Sequence, residues 1–291
     1  MTGPIPDRLI ALTALVTMAV VMSGLGLGIA PRQLRWAWHR PGPILRSLLA
    51  VFILAPAIAV AVSRLLGLAR LDEIGIVLMA ISPGAPLALR RSIGAGGHRA
   101  LAANLQISVA LLAVVSMPLS LALLNPLYSG HASISPLAVL RQVSTYQLLP
   151  LGVGAAIHWA RPALAARLEP VLRKIGVPLF LLLLALVLIQ SWSALRAAEP
   201  WTMAAMALAS IGALAAGHSL GGPEPAMRTA AAVSSALRNP GLALLVARAN
   251  SAVPEIESLM MVHLVVTFFA SLPYFIVRRR AVRREEGPSA A

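Results

Sequence analysis

Two short stretches, Ile81-Ser82-Pro83-Gly84-Ala85-Pro86 and Leu237-Arg238-Asn239-Pro240-Gly241, each fall in the middle of an otherwise apolar run. A helix in hydrocarbon normally runs unbroken, because lipid offers no partner for a freed N–H or C=O. Pro83 and Pro240 each remove a helix hydrogen bond, so both runs read as interrupted helices. Paired interruptions in corresponding places of two half-sequences mark where a carrier unwinds helices around its cargo. Arginines stand beside both, Arg90 and Arg91 after the first and Arg238 within the second, where charge is expensive.

Composition agrees with a membrane setting. Of 291 residues, 58% are hydrophobic and only 12% charged, against about 25% charged in a soluble domain. With no cysteine, a disulfide scaffold and a thiolate metal site are excluded. The net charge of +14 does not point to nucleic acid, because the arginines sit mostly in short loops and a tail between apolar spans. Six scattered histidines and the lack of an intramembrane acid pair leave no catalytic constellation and no metal site.

About 20 apolar residues cross the hydrocarbon core. On that measure the chain is an all-α membrane protein with about nine spans: 8–29, 43–67, 73–97 (broken), 100–124, 137–160, 175–192, 201–219, 225–249 (broken) and 253–277. The glycines of Gly24-Leu25-Gly26-Leu27-Gly28, closing the first span, read as a close helix contact. Basic residues favour the loops after spans one, three, five and seven, together with the C-terminus. That bias puts the N-terminus outside and the C-terminus in the cytoplasm. Each interruption falls in the third member of a four-helix set. The chain therefore divides into a first repeat (1–124, broken near 83–86), a connector helix and loop (125–174), a second repeat (175–277, broken near 238–241) and a basic cytoplasmic tail (278–291). The sets are five helices apart, an odd number, so the second inserts inverted, with the two broken helices crossing.

At these positions the chain resembles the bile acid:sodium symporter family, over most of its length, as a divergent bacterial-type member. Val51-Phe52-Ile53-Leu54-Ala55-Pro56 stands where the family has Gln-Phe-x-x-Met-Pro, followed by the similar Leu65-Leu66-Gly67-Leu68. Gly75 leads to Pro83-Gly84-Ala85-Pro86-Leu87-Ala88-Leu89, where the family reads P-G-G-x-x-S-N, and Gly97 ends the stretch. Leu149-Pro150-Leu151-Gly152 is family-like in the connector. Ser234-Ser235-Ala236-Leu237-Arg238-Asn239-Pro240-Gly241-Leu242 takes the place of E-x-G-x-Q-N-x-G-L.

The resemblance implies a secondary transporter of a small organic anion in the cell (inner) membrane, with no cofactor. It does not carry over the sodium ligands. The family's glutamate and glutamine correspond to Ser234 and Arg238, its serine and asparagine to Ala88 and Leu89, and its first glutamine to Val51. Sodium needs oxygen ligands, and a guanidinium has no acceptor. Two readings of Arg238 follow: a fixed positive charge where relatives use sodium, attracting an anion, or an inward arginine paired with carbonyls of the unwound segment. Arg90 and Arg91 either join it or reach the cytoplasmic interface. Ser234, Ser235 and Asn239 are candidates for the cargo or crossover site, with Pro83, Gly84 and Pro240 shaping it. Gln106 and Ser108 either line a residual polar cavity or bond between helices. His263, inside the last span, either couples a proton or donates one hydrogen bond to a neighbour. A carrier-derived receptor without transport, or a sodium- or proton-coupled carrier of another solute, remains the alternative. Substrate and oligomeric state are not legible in the sequence.

Overall fold

The computed structural model describes residues 5–29, 36, 39–84, 88–128, 135–249 and 254–285, and every regular element among them is helical. In chain order the helices are α1 (Asp7–Leu27), α2 (Pro41–Leu65), α3 (Arg70–Ala80), α4 (Ala88–Gly94), α5 (Arg99–Leu124), α6 (136–160), α7 (Pro162–Gln190), α8 (Trp192–Ala197), α9 (Pro200–Leu220), α10 (Pro225–Ala236), α11 (Pro240–Ala249) and α12 (Pro254–Glu285). Seven helical runs are long and apolar enough to cross a membrane: α1, α2, α5, α7, α9, α10 with α11, and α12. The expected span 73–97 is divided into α3 and α4, each too short to cross alone, and residues 85–87 between them lie outside the described residues. The expected span 137–160 is helical throughout as α6 but is not among the seven.

Two helices run past their apolar spans. The connector loop expected up to residue 174 is helix, because α7 starts at Pro162 and continues unbroken through Arg167, Arg173 and Lys174. Pro162 sits in the first turn, where a missing N–H is no loss. Arg173 pairs with Glu169 one turn earlier at 3.4 Å, as a solvated helix end allows. The tail expected from 278 also begins as helix, since α12 runs on to Glu285. Loss of apolar character marks where a span leaves lipid, which is not where the helix ends.

Contacts at the two ends of the bundle show how the long helices alternate. At one end Glu73 at the start of α3 receives Arg64 from the end of α2 and Arg70, each at 3.0 Å, and the Tyr128 hydroxyl, beyond α5, at 2.9 Å. Thr202 at the start of α9 donates to Asp72 at 2.7 Å, and the Ile5 amide donates to Gln190 at the end of α7 at 3.2 Å. At the other end the His98 amide, before α5, donates to the Ala226 carbonyl in α10 at 2.9 Å. Arg278 in α12 donates to Thr229 at 2.7 Å, and His158 in α6 meets the Leu27 carbonyl of α1 at 2.8 Å. Glu73 is the one acidic residue buried among the described residues, and its three partners explain why that is tolerated.

Helix α1 lies against α6 and α7, while α9 and α10 pack together with α2 and α12 close by. The α10–α11 run is 89% buried over its apolar window, against 22–39% for the other six, so it is wrapped by protein. That is where an interruption can be satisfied without lipid contact. The α1–α6 contact rests on two glycines. A Cβ on Gly26 would run into the Leu151 carbonyl and the Ala155 amide, and one on Gly154 into the Ser23 carbonyl. These neighbours are backbone and cannot swing aside, so side chains would force the helices apart. Gly154→Leu is expected to lower stability by about 1–3 kcal/mol, read as a fall in the thermal midpoint in detergent. Gly152→Leu, two residues away with nothing within 4 Å of its added Cβ, serves as the silent control.

Candidate functional site: the helix crossover

The two interruptions meet. Helix α3 ends at Ala80, and Ile81 to Gly84 leave the helix, with Gly84 at φ +88°, which favours glycine. Helix α10 ends at Ala236, Leu237 is extended, and α11 begins at Pro240. The Asn239 amide donates to the Ser82 carbonyl at 2.9 Å, joining one break to the other through the backbone. Asn239 also caps α11. Its Oδ1 accepts from the Leu242 amide at 3.1 Å, with Pro240 in the first helical position where no donor is needed. Its Nδ2 points to the sulfur of Met18 in α1 at 3.6 Å. Ser82 returns its hydroxyl to the Leu78 carbonyl at 2.8 Å. The polar groups of Ser82 and Asn239 thus largely build the crossing itself.

Arg238 differs. Its side chain is buried at 6% exposure, and both terminal nitrogens donate to the Val51 carbonyl at 3.2 Å. The reason that carbonyl is available lies in α2. Residues Ala50–Leu54 form a π-turn, in which the Ala55 amide bonds the Ala50 carbonyl and not that of Val51. The next residue, Pro56, has no N–H to offer. Val51 has therefore lost both helical donors, and an oxygen left empty in an apolar interior costs about 1–3 kcal/mol. The guanidinium fills the vacancy. It also lines a crevice with Ala80, Ile81 and Pro83, beside the C-terminal end of α3. A helix C-terminus favours a cation by about 0.3–1 kcal/mol, up to about 2 when partly buried. Enclosing an ion costs several kcal/mol, so these partners offset only part of it. Among the described residues no carboxylate lies within ion-pair distance of Arg238.

The other candidates are placed as follows. Ser234 and Ser235 are buried in the last turn of α10, and the Ser235 hydroxyl bonds back to Ala231 at 2.9 Å. Arg90 is exposed on α4, and the Arg91 guanidinium lies 5.0 Å from the centre of the Phe268 ring in α12. The structure thus engages Arg91 with an aromatic face, leaving Arg238 as the arginine seen at the crossing. Gln106 is buried and hydrogen-bonded or otherwise engaged, while Ser108 is half-buried. His263 is buried in α12, with an Nδ1 that has no hydrogen-bond partner among the described residues. Among the described residues no cluster of histidines and carboxylates forms a metal site.

Sequence reasoning missed two contributors. The Ser116 hydroxyl on α5 is buried without a partner, and Ser116 lines the same crevice as Arg238. Nothing in its spacing announces this. Val51 contributes through its backbone, and the signal was Pro56 inside a continuous apolar run. The same device recurs in α6: residues Ser144–Leu148 form a π-turn, the Leu149 amide bonds Ser144, and Pro150 follows. There Gln147 reaches from the π-turn to the Ala110 carbonyl of α5.

Paired interrupted helices meeting inside a bundle of apolar helices are found in a class of polytopic membrane proteins. Residues 15–198 match the Sodium Bile acid symporter family, and the chain belongs to it. It is 29% identical over 171 residues to Sodium/bile acid cotransporter 5 of Rattus norvegicus, covering 57% of this chain and 39% of that protein. The mouse protein of the same name is 28% identical over 175 residues, covering 60% and 40%. The aligned part thus spans about two fifths of each relative. The family match ends before α10, so the second interruption, with Arg238, lies beyond it.

Among the described residues, the crossing offers a sodium ion a poor setting. Its central side chain is a guanidinium, its buried acid is engaged elsewhere, and a cation next to Arg238 would be repelled. A structural arginine and a functional one predict opposite effects on stability. Replacing the buried ion by an apolar side chain removes a desolvation cost of several kcal/mol and leaves the Val51 carbonyl without its donor, at about 1–3 kcal/mol. Arg238→Met is therefore expected to keep or raise the thermal midpoint in detergent. A drop in midpoint would make the arginine a structural strut.

Proposed function

We propose that the chain is a secondary carrier of a small organic anion, with nine membrane-spanning helices in two inverted four-helix repeats and Arg238 supplying the positive charge that relatives take from sodium. The observation that carries the proposal is the Arg238 guanidinium, buried at the crossing and held by the Val51 carbonyl. By the resemblance, the family's glutamate and glutamine positions fall at Ser234 and Arg238, beyond the matched residues 15–198. A negative site neutralised by bound cations is replaced by one that is positive without them. A guanidinium is also well suited to a carboxylate or sulfate, which it meets with two parallel N–H donors.

The nine-span reading is supported by the alternating contacts at the bundle ends and by the meeting of the two breaks. Basic residues concentrate at the end that carries Arg40, Arg228 and Arg278. By the positive-inside rule that end is cytoplasmic, placing the N-terminus outside a cell (inner) membrane. The relatives are named for bile acids, which are amphipathic anions. An apolar crevice beside the second break is lined by Phe180, Leu183, Pro240, Leu244, Met261 and Leu264, with a cavity volume of about 10 Å³. That is room for about one water, so the crevice is closed to a substrate in this conformation.

Thermal stabilisation of the purified chain across a library of organic anions, run in sodium and in choline buffer, tests this. A ligand at a hundred times its Kd stabilises by about 2.7 kcal/mol, and the midpoint shift is expected to be equal in the two buffers. Shifts seen only with sodium would overturn the sodium-free reading. Stabilisation without uptake into vesicles would make the chain a receptor.

A further inference from the structure

Resting on the anion-carrier reading above, we infer that the chain is an obligatory anion exchanger, which reorients readily with a monovalent organic anion bound and hardly at all when empty. Sodium ions dissociate from a carrier and take their charge with them. The charge of Arg238 is covalent and cannot leave, and a guanidinium stays protonated under ordinary conditions. Every alternating-access cycle passes through a form closed to water on both sides. In that form an empty crossing holds a buried cation with a carbonyl partner and no carboxylate within ion-pair distance among the described residues. A bound monoanion turns the same site into a neutral pair.

The supporting groups do not change this balance. Val51 lies on α2, which packs with α9 and α10, and Asn239 ties α10–α11 to the end of α3. The carbonyl partner and the helix ends thus accompany the arginine in loaded and empty forms alike. What distinguishes the two forms is the substrate's own charge. The empty return leg is the slow step, and a second anion from the far side relieves it. Exchange of like anions moves no net charge, so it is indifferent to membrane voltage.

The test uses the full chain in liposomes and labelled benzoate, 2-oxobutanoate and cholate as probes, with the same unlabelled anion inside or with impermeant buffer alone. Uptake into anion-loaded vesicles is expected to exceed uptake into empty ones by roughly tenfold or more, equivalent to about 1.4 kcal/mol on the barrier. A potassium diffusion potential is expected to leave exchange unchanged. Arg238→Lys keeps the charge and should retain the ratio. Arg238→Met removes it, and any residual uptake should be equal with and without internal anion; its thermal midpoint confirms that it is folded. Equal uptake into loaded and empty vesicles by the natural chain would overturn the exchanger and leave the carrier reading standing. No uptake of any probe under either condition would remove the carrier reading itself.

Discussion

A main-chain carbonyl stripped of its helical donor must find another partner inside a water-free layer, because leaving it empty costs as much as a typical point mutation. In this chain the oxygen of Val51 is stripped twice, by the π-turn that diverts the Ala55 amide and by Pro56, which has no amide hydrogen. The Arg238 guanidinium fills it from the opposite interruption. Nearby, the Asn239 amide, which cannot bond within α10, satisfies the Ser82 carbonyl, which α3 has released. The crossing is held together by these exchanges between broken helices, and the packing of the bundle keeps lipid away from them.

Charge at the crossing follows from the same economy of partners. The buried acid of the described structure, Glu73, is held at one end of the bundle by Arg64, Arg70 and Tyr128. It is not placed to neutralise Arg238. The chain has thus put its compensated charge at a rim, where two half-exposed arginines can meet it, and its uncompensated charge at the break.

Much of the fold was legible because hydrophobic length is a strong signal and proline a strong punctuator. The two interruptions, their order in the chain and the glycine contact of α1 could be read directly from residue types. The helix ends could not. Arg167, Arg173 and Lys174 look like loop to a hydropathy reading, yet they continue α7, because leaving lipid does not end a helix whose carbonyls and amides still pair internally. The candidate site was half legible. Arg238 and Asn239 stood out, the first by its charge and the second by its place before proline and glycine. The partner of Arg238 was a backbone atom, and backbone atoms carry no residue letter.

By itself the sequence determined that the chain is made of apolar helices with two interruptions, and that a cation stands at one of them. Those facts depend on composition and local chemistry, which the order of residues states directly. Only the tertiary structure decided that the breaks touch, that Asn239 is spent on capping α11 and on Ser82, that Arg91 lies on Phe268, and that Val51 answers Arg238. Apart from the local cap on α11, each joins residues more than a hundred positions apart in the chain, which no local reading of the sequence connects.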